Sequence, residues 1–161
     1  MREYVSDTGP LISFEIIPGG FMLLRRLVGG ILVPPEVVDE LSVGLLPGSD
    51  YLAHYGIADF VRVEPAPAAP AATAGLHEGE SAAITLALAR KLPLLIEERQ
   101  GRQVALALGV ETIGAIGLLL YACNIGIITV GEAEGCVQAL FQGKRMNRTL
   151  LEALLAQLRV H

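Results

Sequence analysis

The segment Tyr4-Val5-Ser6-Asp7-Thr8-Gly9-Pro10-Leu11 decides the fold class, because it leads from a strand through a single acid into a helix. Residues 3–6 predict a short apolar strand. Thr8-Gly9-Pro10 opens a helix over residues 11–17, with Pro10 near the first turn, where a missing N–H does no harm. A strand that passes directly into a helix is the repeating unit of α/β proteins.

The same alternation of strands and helices continues along the chain. Further strands are predicted at residues 31–33, 60–63, 93–96 and 110–112. Helices are predicted at residues 21–28, 35–43, 49–55, 78–91, 99–108, 113–124, 130–141 and 148–159. This order predicts an α/β fold, a three-layer α/β/α sandwich with a central parallel sheet. The Pro/Ala segment 65–75 predicts an extended, exposed loop inside one domain of residues 1–161, since the alternation continues beyond it.

The composition predicts a large core and a partly shared surface. Hydrophobic residues make up 52% of the 161 residues, and charged residues make up 18%. Because an average domain has roughly 25% charged residues, we expect a homodimer or an obligate partner. The longest apolar run, residues 113–123, is shorter than the roughly 20 residues that a bilayer requires. No signal-peptide pattern is present, so we expect a soluble, cytoplasmic protein without a membrane partner.

Charge and cysteine content restrict the function less sharply. The net charge is −5 and the isoelectric point about 5.2, which argues against a general nucleic-acid binder. A cluster of acids that binds a metal would give the same balance, so the net charge does not decide between the two. Cys123 and Cys136 stand alone without a CxxC pattern and predict free thiols in a reducing compartment.

Acids follow two of the predicted strands directly. Asp7 follows the first strand, and Glu97 and Glu98 follow the strand Leu94-Leu95-Ile96. Parallel α/β sheets bind ligands at the carboxyl ends of their strands, which makes these acids candidates for a ligand site. For Asp7 the alternative is a helix N-cap or a charge favoured by the helix dipole.

Helical geometry selects a third acid. Among the acids of the helix at residues 35–43, Glu40 lies nearest the buried stripe, roughly 110° from its centre. Glu36 and Asp39 lie about 150° from that centre and are expected to face solvent.

The helix at residues 78–91 supplies a fourth acid. Ile84 and Leu88 mark its buried stripe, and Glu80 lies one turn before Ile84 on the same stripe. Glu78 points away by roughly 100° or more. A carboxylate on an apolar stripe is unfavourable unless something compensates it. The alternative is that Glu80 lies in a wet, frayed first turn.

These four acids, Asp7, Glu40, Glu80 and Glu97, are predicted to converge in one cleft. Several carboxylates in one cleft repel one another, and a hard divalent cation relieves that repulsion. Mg²⁺ and Mn²⁺ prefer oxygen ligands, and such metals activate water and stabilise charge on a phosphodiester. The sequence therefore predicts a Mg²⁺ or Mn²⁺ site and a hydrolytic role for the same residues.

Five segments together resemble the PIN-domain superfamily, in particular the short prokaryotic PIN-like proteins related to the toxin ribonucleases of type II toxin–antitoxin pairs. They are Val5-Ser6-Asp7-Thr8-Gly9-Pro10-Leu11-Ile12, Val33-Pro34-Pro35-Glu36-Val37-Val38-Asp39-Glu40-Leu41, Gly79-Glu80-Ser81-Ala82-Ala83-Ile84-Thr85-Leu86-Ala87, Leu94-Leu95-Ile96-Glu97-Glu98-Arg99 and Ile113-Gly114-Ala115-Ile116-Gly117-Leu118-Leu119. The resemblance implies an α/β/α sandwich, metal-dependent cleavage of RNA, a homodimer, and an antitoxin protein as a partner.

Two positions differ from the pattern that the resemblance implies. The fourth acidic segment carries Glu97-Glu98 where the family usually has Asp-Asp, and Ala115 stands where it often has Thr or Ser. These differences motivate the alternative of a catalytically weak or inactive module that binds RNA or protein. A dinucleotide-binding enzyme is disfavoured, because no G-x-G-x-x-G follows the first strand.

Several polar residues are candidates for contacts with RNA. Thr8 is expected to bond either a metal-bound water or the N–H groups of the first helix. Arg99 and Arg102 lie beside Glu97 and are expected to hold a substrate phosphate or to pair with Glu98.

A basic cluster between the last two helices is a further candidate. Lys144, Arg145 and Arg148 are expected to form a solvated turn, with contact to the RNA backbone as the alternative. Aromatic residues make up only 5% of the chain, and no platform for base stacking is evident.

Overall fold

The sheet has five strands, and every neighbouring pair is parallel. The computed structural model describes residues 1–160. The strands are β1 Glu3–Ser6, β2 Gly30–Val33, β3 Val61–Val63, β4 Leu94–Leu95 and β5 Thr112–Ile113. Their order across the sheet is β3-β2-β1-β4-β5.

Helices cover the sheet and complete the three layers. They are α1 Thr8–Ile16, α2 Gly20–Leu27, α3 Pro35–Ser42, α4 Tyr51–His54, α5 Glu78–Arg90, α6 Arg99–Ala107, α7 Ala115–Asn124, α8 Val130–Gln142 and α9 Arg148–Arg159. The predicted α/β/α sandwich with a central parallel sheet is confirmed. Across the described residues, no helix is both long and apolar enough to cross a bilayer.

Several predicted boundaries differ from the structure, most by one or two residues. Helix α1 begins at Thr8 rather than Leu11, because Asp7 takes the N-cap position and Pro10 fits the first turn. Helix α4 is shorter than predicted and begins after Asp50, whose side chain accepts a hydrogen bond from the Ala53 N–H. Strand β5 begins at Thr112, two residues later than predicted.

The composition predicted that the Pro/Ala segment is exposed throughout. The structure shows that part of it is buried. Residues Ala71–Thr73 form a 3₁₀ turn, and Thr73 is only 1% exposed. The Thr73 hydroxyl donates to the Pro70 carbonyl at 2.9 Å and accepts from the Ser81 hydroxyl at 2.7 Å. This contact ties the loop to the first turns of α5.

The strand order places a change of direction between β1 and β4. From β1 the chain moves outward to β2 and β3 on one side, then returns to β4 on the other side of β1. The Asp7 N–H donates to the Leu95 carbonyl at 2.9 Å, so the two strands end side by side. In open α/β sheets, ligands bind in the crevice at such a point.

The core beneath this crevice is apolar and tightly buried. Val5, Ile31 and Leu94 on neighbouring strands are 0% exposed, as are Leu11 and Phe14 on α1. Each such side chain contributes about 1.5–3 kcal/mol on burial. The strand ends are therefore held on a rigid base.

Some apolar side chains remain on the surface. Met22 on α2 is 75% exposed, and Tyr121 on α7 is 52% exposed. The homodimer and the antitoxin partner remain predictions.

Candidate metal-binding site

An acidic cavity of about 940 Å³ opens at the carboxyl ends of β1 and β4. All four predicted acids, Asp7, Glu40, Glu80 and Glu97, line it. Asp7 follows β1, Glu40 lies on α3, Glu80 lies in the first turn of α5, and Glu97 follows β4. Four separate elements therefore bring the predicted acids to one place.

Asp7 lies deep in this cavity and is 5% exposed. It holds the N-cap position of α1, yet its side chain makes no capping hydrogen bond to that helix. Its Oδ1 atom is buried without a hydrogen-bond partner among residues 1–160. Burial raises the pKa of Asp7 to about 6, opposed by the nearby Thr8 N–H and reinforced by the charges of Glu80, Glu40 and Glu97.

Glu80 is also buried, with 7% of its surface exposed. Its Oε2 atom has no hydrogen-bond partner in the described chain. Burial raises the pKa of Glu80, and the negative charge of Glu98 raises it further. The alternative of a wet first turn is wrong.

The buried face of α5 runs closer to Glu80 than the sequence suggested. Ala83, Ile84 and Ala87 are buried, whereas Leu88 is 39% exposed. At about 100° per residue, Glu80 lies near the centre of this face and Leu88 lies at its edge. Glu80 is therefore directed toward the protein interior and the cavity.

Glu40 lies on an exposed part of α3, but its carboxylate is held at the cavity. Its Oε2 accepts a hydrogen bond from the Thr8 hydroxyl at 2.8 Å, and its Oε1 accepts from the Gly79 N–H at 3.1 Å. Thr8 therefore orients an acid of the site, whereas a bond to a metal-bound water or to the N–H groups of the first helix was expected. Of the two acids expected to face solvent, Asp39 is exposed. Glu36 instead has a buried oxygen without a partner in the described chain, and it lines a separate pocket with the Pro/Ala loop.

Glu97 is the most fully bonded acid of the site. The Ser13 hydroxyl lies 3.1 and 2.9 Å from its two oxygens, and Nη2 of Arg145 donates to Oε1 at 2.7 Å. Arg145 also donates to the Gly9 carbonyl at 3.2 Å and, through Nε, to the Ser13 hydroxyl at 3.3 Å. Arg145 is exposed in the turn between the last two helices, as expected, but long-range acceptors hold its guanidinium.

Three glycines bring backbone close to the acids. A Cβ on Gly79 would lie 2.2 Å from Glu40 Oε1, and one on Gly101 would lie 2.5 Å from Glu80 Oε2. A Cβ on Gly9 would lie 3.1 Å from Glu97 Oε1. The signal in the sequence was available for Gly101, because a glycine inside a helical pattern often marks close packing.

Three other candidates lie apart from the acids. Arg99 and Arg102 are exposed on α6, and neither belongs to the described residues that line the cavity. Lys144, Arg145 and His77 line it instead. Ala115 is 0% exposed in the first turn of α7 and supplies no hydroxyl.

The donor atoms of the cavity fit a hard divalent cation. They are carboxylate oxygens, and those of Asp7 and Glu80 include a buried atom that lacks a protein partner. Within residues 1–160, no three His, Cys, Asp or Glu side chains are grouped closely enough to enclose an ion. The acids therefore line the cavity wall rather than form a compact cluster.

Comparison with solved structures supports the fold. The chain is similar to a PilT N-terminus domain protein from the hyperthermophilic archaeon Sulfolobus solfataricus P2, with a TM-score of 0.53 and 19% identity. The match covers 76% of this chain and 93% of the archaeal chain. At that identity the likeness concerns the fold alone.

Comparison with sequences places the chain in a family. No curated protein matches it. The family model DUF3368, described as a PIN domain, matches residues 3–159 and so nearly the whole chain. This chain belongs to that PIN domain family.

Proposed function

We propose that this protein is a ribonuclease that hydrolyses RNA phosphodiester bonds with Mg²⁺ or Mn²⁺ held by Asp7, Glu40, Glu80 and Glu97. PIN domains are generally nucleases and typically use divalent metals. The observation that carries the proposal is the pair of buried, unpartnered oxygens on Asp7 and Glu80. A buried acid without a partner destabilises the fold, and a bound cation would offset that penalty.

The residues of the site divide into two groups by their contacts. Asp7 and Glu80 each keep an oxygen free of hydrogen bonds within the described chain and are ready to bind a cation. Glu40 is oriented by the Thr8 hydroxyl and the Gly79 N–H, which fix its carboxylate at the cavity wall. When bound, the metal would supply an activated water and stabilise negative charge on the phosphate.

The protonation of Asp7 limits the pH at which the site is ready. Because the pKa of Asp7 is about 6, its carboxylate is mostly ionised at pH 7 and mostly protonated at pH 5 in the absence of a cation. A cation must displace that proton, so metal binding is expected to weaken as the pH falls below about 6.

A non-catalytic PIN-like module that binds RNA or protein is the second candidate. Both oxygens of Glu97 accept hydrogen bonds, and one of them pairs with Arg145. A metal at Glu97 would therefore compete with these partners, which weakens the case for Glu97 as a ligand. Ala115 provides no hydroxyl to compensate.

Titration calorimetry with Mn²⁺ tests the metal site. We expect the wild type to bind Mn²⁺ and Asp7→Asn to bind it at least about tenfold more weakly, since a metal ligand is lost. Glu111→Gln removes a carboxylate that is paired with Arg2 outside the cavity and is expected to bind like the wild type. Equal binding by wild type and Asp7→Asn would sink the proposed site.

Cleavage of a pooled single-stranded RNA in Mn²⁺ tests the activity. We expect the wild type to fragment the pool and Glu80→Gln to leave it intact, whereas Glu111→Gln cleaves normally. A wild type that binds Mn²⁺ but leaves the RNA uncut contradicts the nuclease and supports the non-catalytic module.

A further inference from the structure

Arg145 enters the acidic cavity from the opposite end of the sequence. It lies in the turn between α8 and α9, next to Lys144, which has a positive φ of 61°. Its Nη2 contacts Glu97 Oε1 at 2.7 Å, and the side chains of the pair are 29% and 25% exposed. The ion pair is therefore partly buried but accessible from the cavity.

This contact pairs Glu97 with a positive charge, unlike Asp7 and Glu80. Glu97 Oε1 already accepts from a guanidinium, whereas Asp7 and Glu80 each carry an oxygen without a partner in residues 1–160. A divalent cation and a guanidinium at one carboxylate oxygen would repel each other. A cation that binds at Oε1 would therefore compete with Arg145 for Glu97.

An arginine released from Glu97 would have a ready partner in a nucleic acid. The guanidinium has a planar fork of N–H donors that matches the oxygens of a phosphate. The cavity wall is otherwise acidic and would repel an RNA backbone. Arg145 and Lys144 line it, as does His77, and of these three Arg145 is the one bonded to an acid of the site.

We infer that Arg145 exchanges partners: it pairs with Glu97 in the metal-free protein and moves to an RNA phosphate when a divalent cation takes Glu97. The inference rests on the proposed function and deepens it, because it makes metal binding a condition for substrate binding. Arg145 rather than Arg99 or Arg102 is the phosphate contact, since those two lie outside the cavity wall. Lys144 lines the cavity but is absent from the ion pairs of the described residues.

Mn²⁺ titration of Arg145→Gln tests the first half of the exchange. Without the competing guanidinium, the variant is expected to bind Mn²⁺ about tenfold more tightly than the wild type. Lys144→Gln removes the same charge from the same cavity without breaking the pair, and its affinity is expected to change by no more than about twofold. Wild-type affinity in Arg145→Gln, or an equal gain in Lys144→Gln, overturns the inference.

RNA binding tests the second half of the exchange. Here Arg145→Gln is expected to weaken binding in Ca²⁺, whereas it is expected to strengthen the binding of Mn²⁺. A labelled single-stranded RNA is titrated with and without Ca²⁺, which takes the same oxygen ligands, and electrophoresis checks that the RNA stays intact. Ca²⁺ is expected to tighten RNA binding by the wild type at least about tenfold and to have little effect in Arg145→Gln. Equal Ca²⁺ enhancement in both proteins overturns the inference.

The two proposals fail in different ways. A wild type that binds no Mn²⁺ refutes the proposed function and the exchange together, whereas a wild type that binds Mn²⁺ with unchanged affinity in Arg145→Gln refutes the exchange alone. Circular dichroism monitors folding of each variant. If Arg145→Gln does not fold, Arg145→Met keeps the apolar length of the side chain but removes the guanidinium. It must then lose the Ca²⁺ enhancement of RNA binding, or the inference is wrong.

Discussion

Acids at the two ends of the central strands are treated in opposite ways. Near the amino end of β1, Arg2 binds both oxygens of Glu111 at 3.1 and 2.7 Å, and Arg62 binds Glu3 at 2.9 Å. Near the carboxyl end, Asp7 Oδ1 and Glu80 Oε2 lack a partner anywhere in the described chain. Acids near the amino end of the strands are thus paired with arginines, whereas two acids near the carboxyl end are not.

Solvent exposure makes this difference informative. Arg2 and Glu111 are 57% and 63% exposed, so water already stabilises both charges. Asp7 and Glu80 are 5% and 7% exposed, where an unpaired charge is unfavourable. A protein selected for stability alone would pair the buried acids first. The opposite arrangement is the one that the proposed metal site requires.

The pH dependence of folding is expected to show the largest effect of this difference. When a chelator keeps divalent cations away, Asp7 in the folded protein stays mostly protonated up to about pH 6, whereas its ordinary pKa is 3.8. Between these values the folded state binds more protons than the unfolded state, so stability falls as the pH rises. Over the full pH range in which Asp7 titrates, the free energy of unfolding changes by up to about 3 kcal/mol. About 1.4 kcal/mol of that change falls between pH 5 and pH 7.

Urea unfolding at pH 5 and pH 7 in chelator measures this effect. We expect the wild type to be more stable at pH 5, and Asp7→Asn to lose much of the difference. Glu111→Gln should keep it, because Arg2 lowers the pKa of Glu111 and so acts in the opposite direction. A wild type that is less stable at pH 5 than at pH 7 would contradict the unpaired state of Asp7.

The close approach of Gly101 to Glu80 provides a smaller and more local test. A Cβ there would lie 2.5 Å from Glu80 Oε2, so Gly101→Ala must displace the carboxylate. We expect Mn²⁺ affinity to fall about tenfold, measured by calorimetry. The gain in helix propensity of about 1 kcal/mol works against any loss of folding stability.

Gly135→Ala is the matched control for this substitution. Gly135 also lies inside a helix, α8, but a Cβ there would meet no described atom within 4 Å. It is expected to gain the same helix propensity and to bind Mn²⁺ like the wild type. If Gly101→Ala also binds like the wild type, then Gly101 does not position Glu80.

The acids of the site could be predicted because local rules place them. Asp7 and Glu97 follow buried strands, and a parallel sheet brings strand ends together. Glu80 follows from a periodicity of 3.6 residues, which puts it on the face of Ile84. Each prediction depended on residues within about two helical turns, the range over which sequence patterns carry information.

The contacts between distant residues could not be predicted in this way. Arg145 is 48 residues from Glu97, and Ser13 is 84 residues from it. Lys144, Arg145 and Arg148 appear as one basic cluster in the sequence, yet only the first two line the cavity. Thr73 was expected in an exposed loop because of the Pro/Ala composition of that segment. Its hydrogen bond with Ser81 depends on how the loop folds back, which the composition does not reveal.

The smallest effect is expected where acids are already paired. A double-mutant cycle of Arg2→Gln and Glu111→Gln, followed by urea unfolding, should give a coupling energy of about 0.2–1 kcal/mol. Added salt should reduce it further, since the pair is exposed. Mn²⁺ affinity should not change in any of the three variants. A coupling above about 2 kcal/mol would contradict the comparison, because an exposed pair would then stabilise the protein as strongly as a buried one.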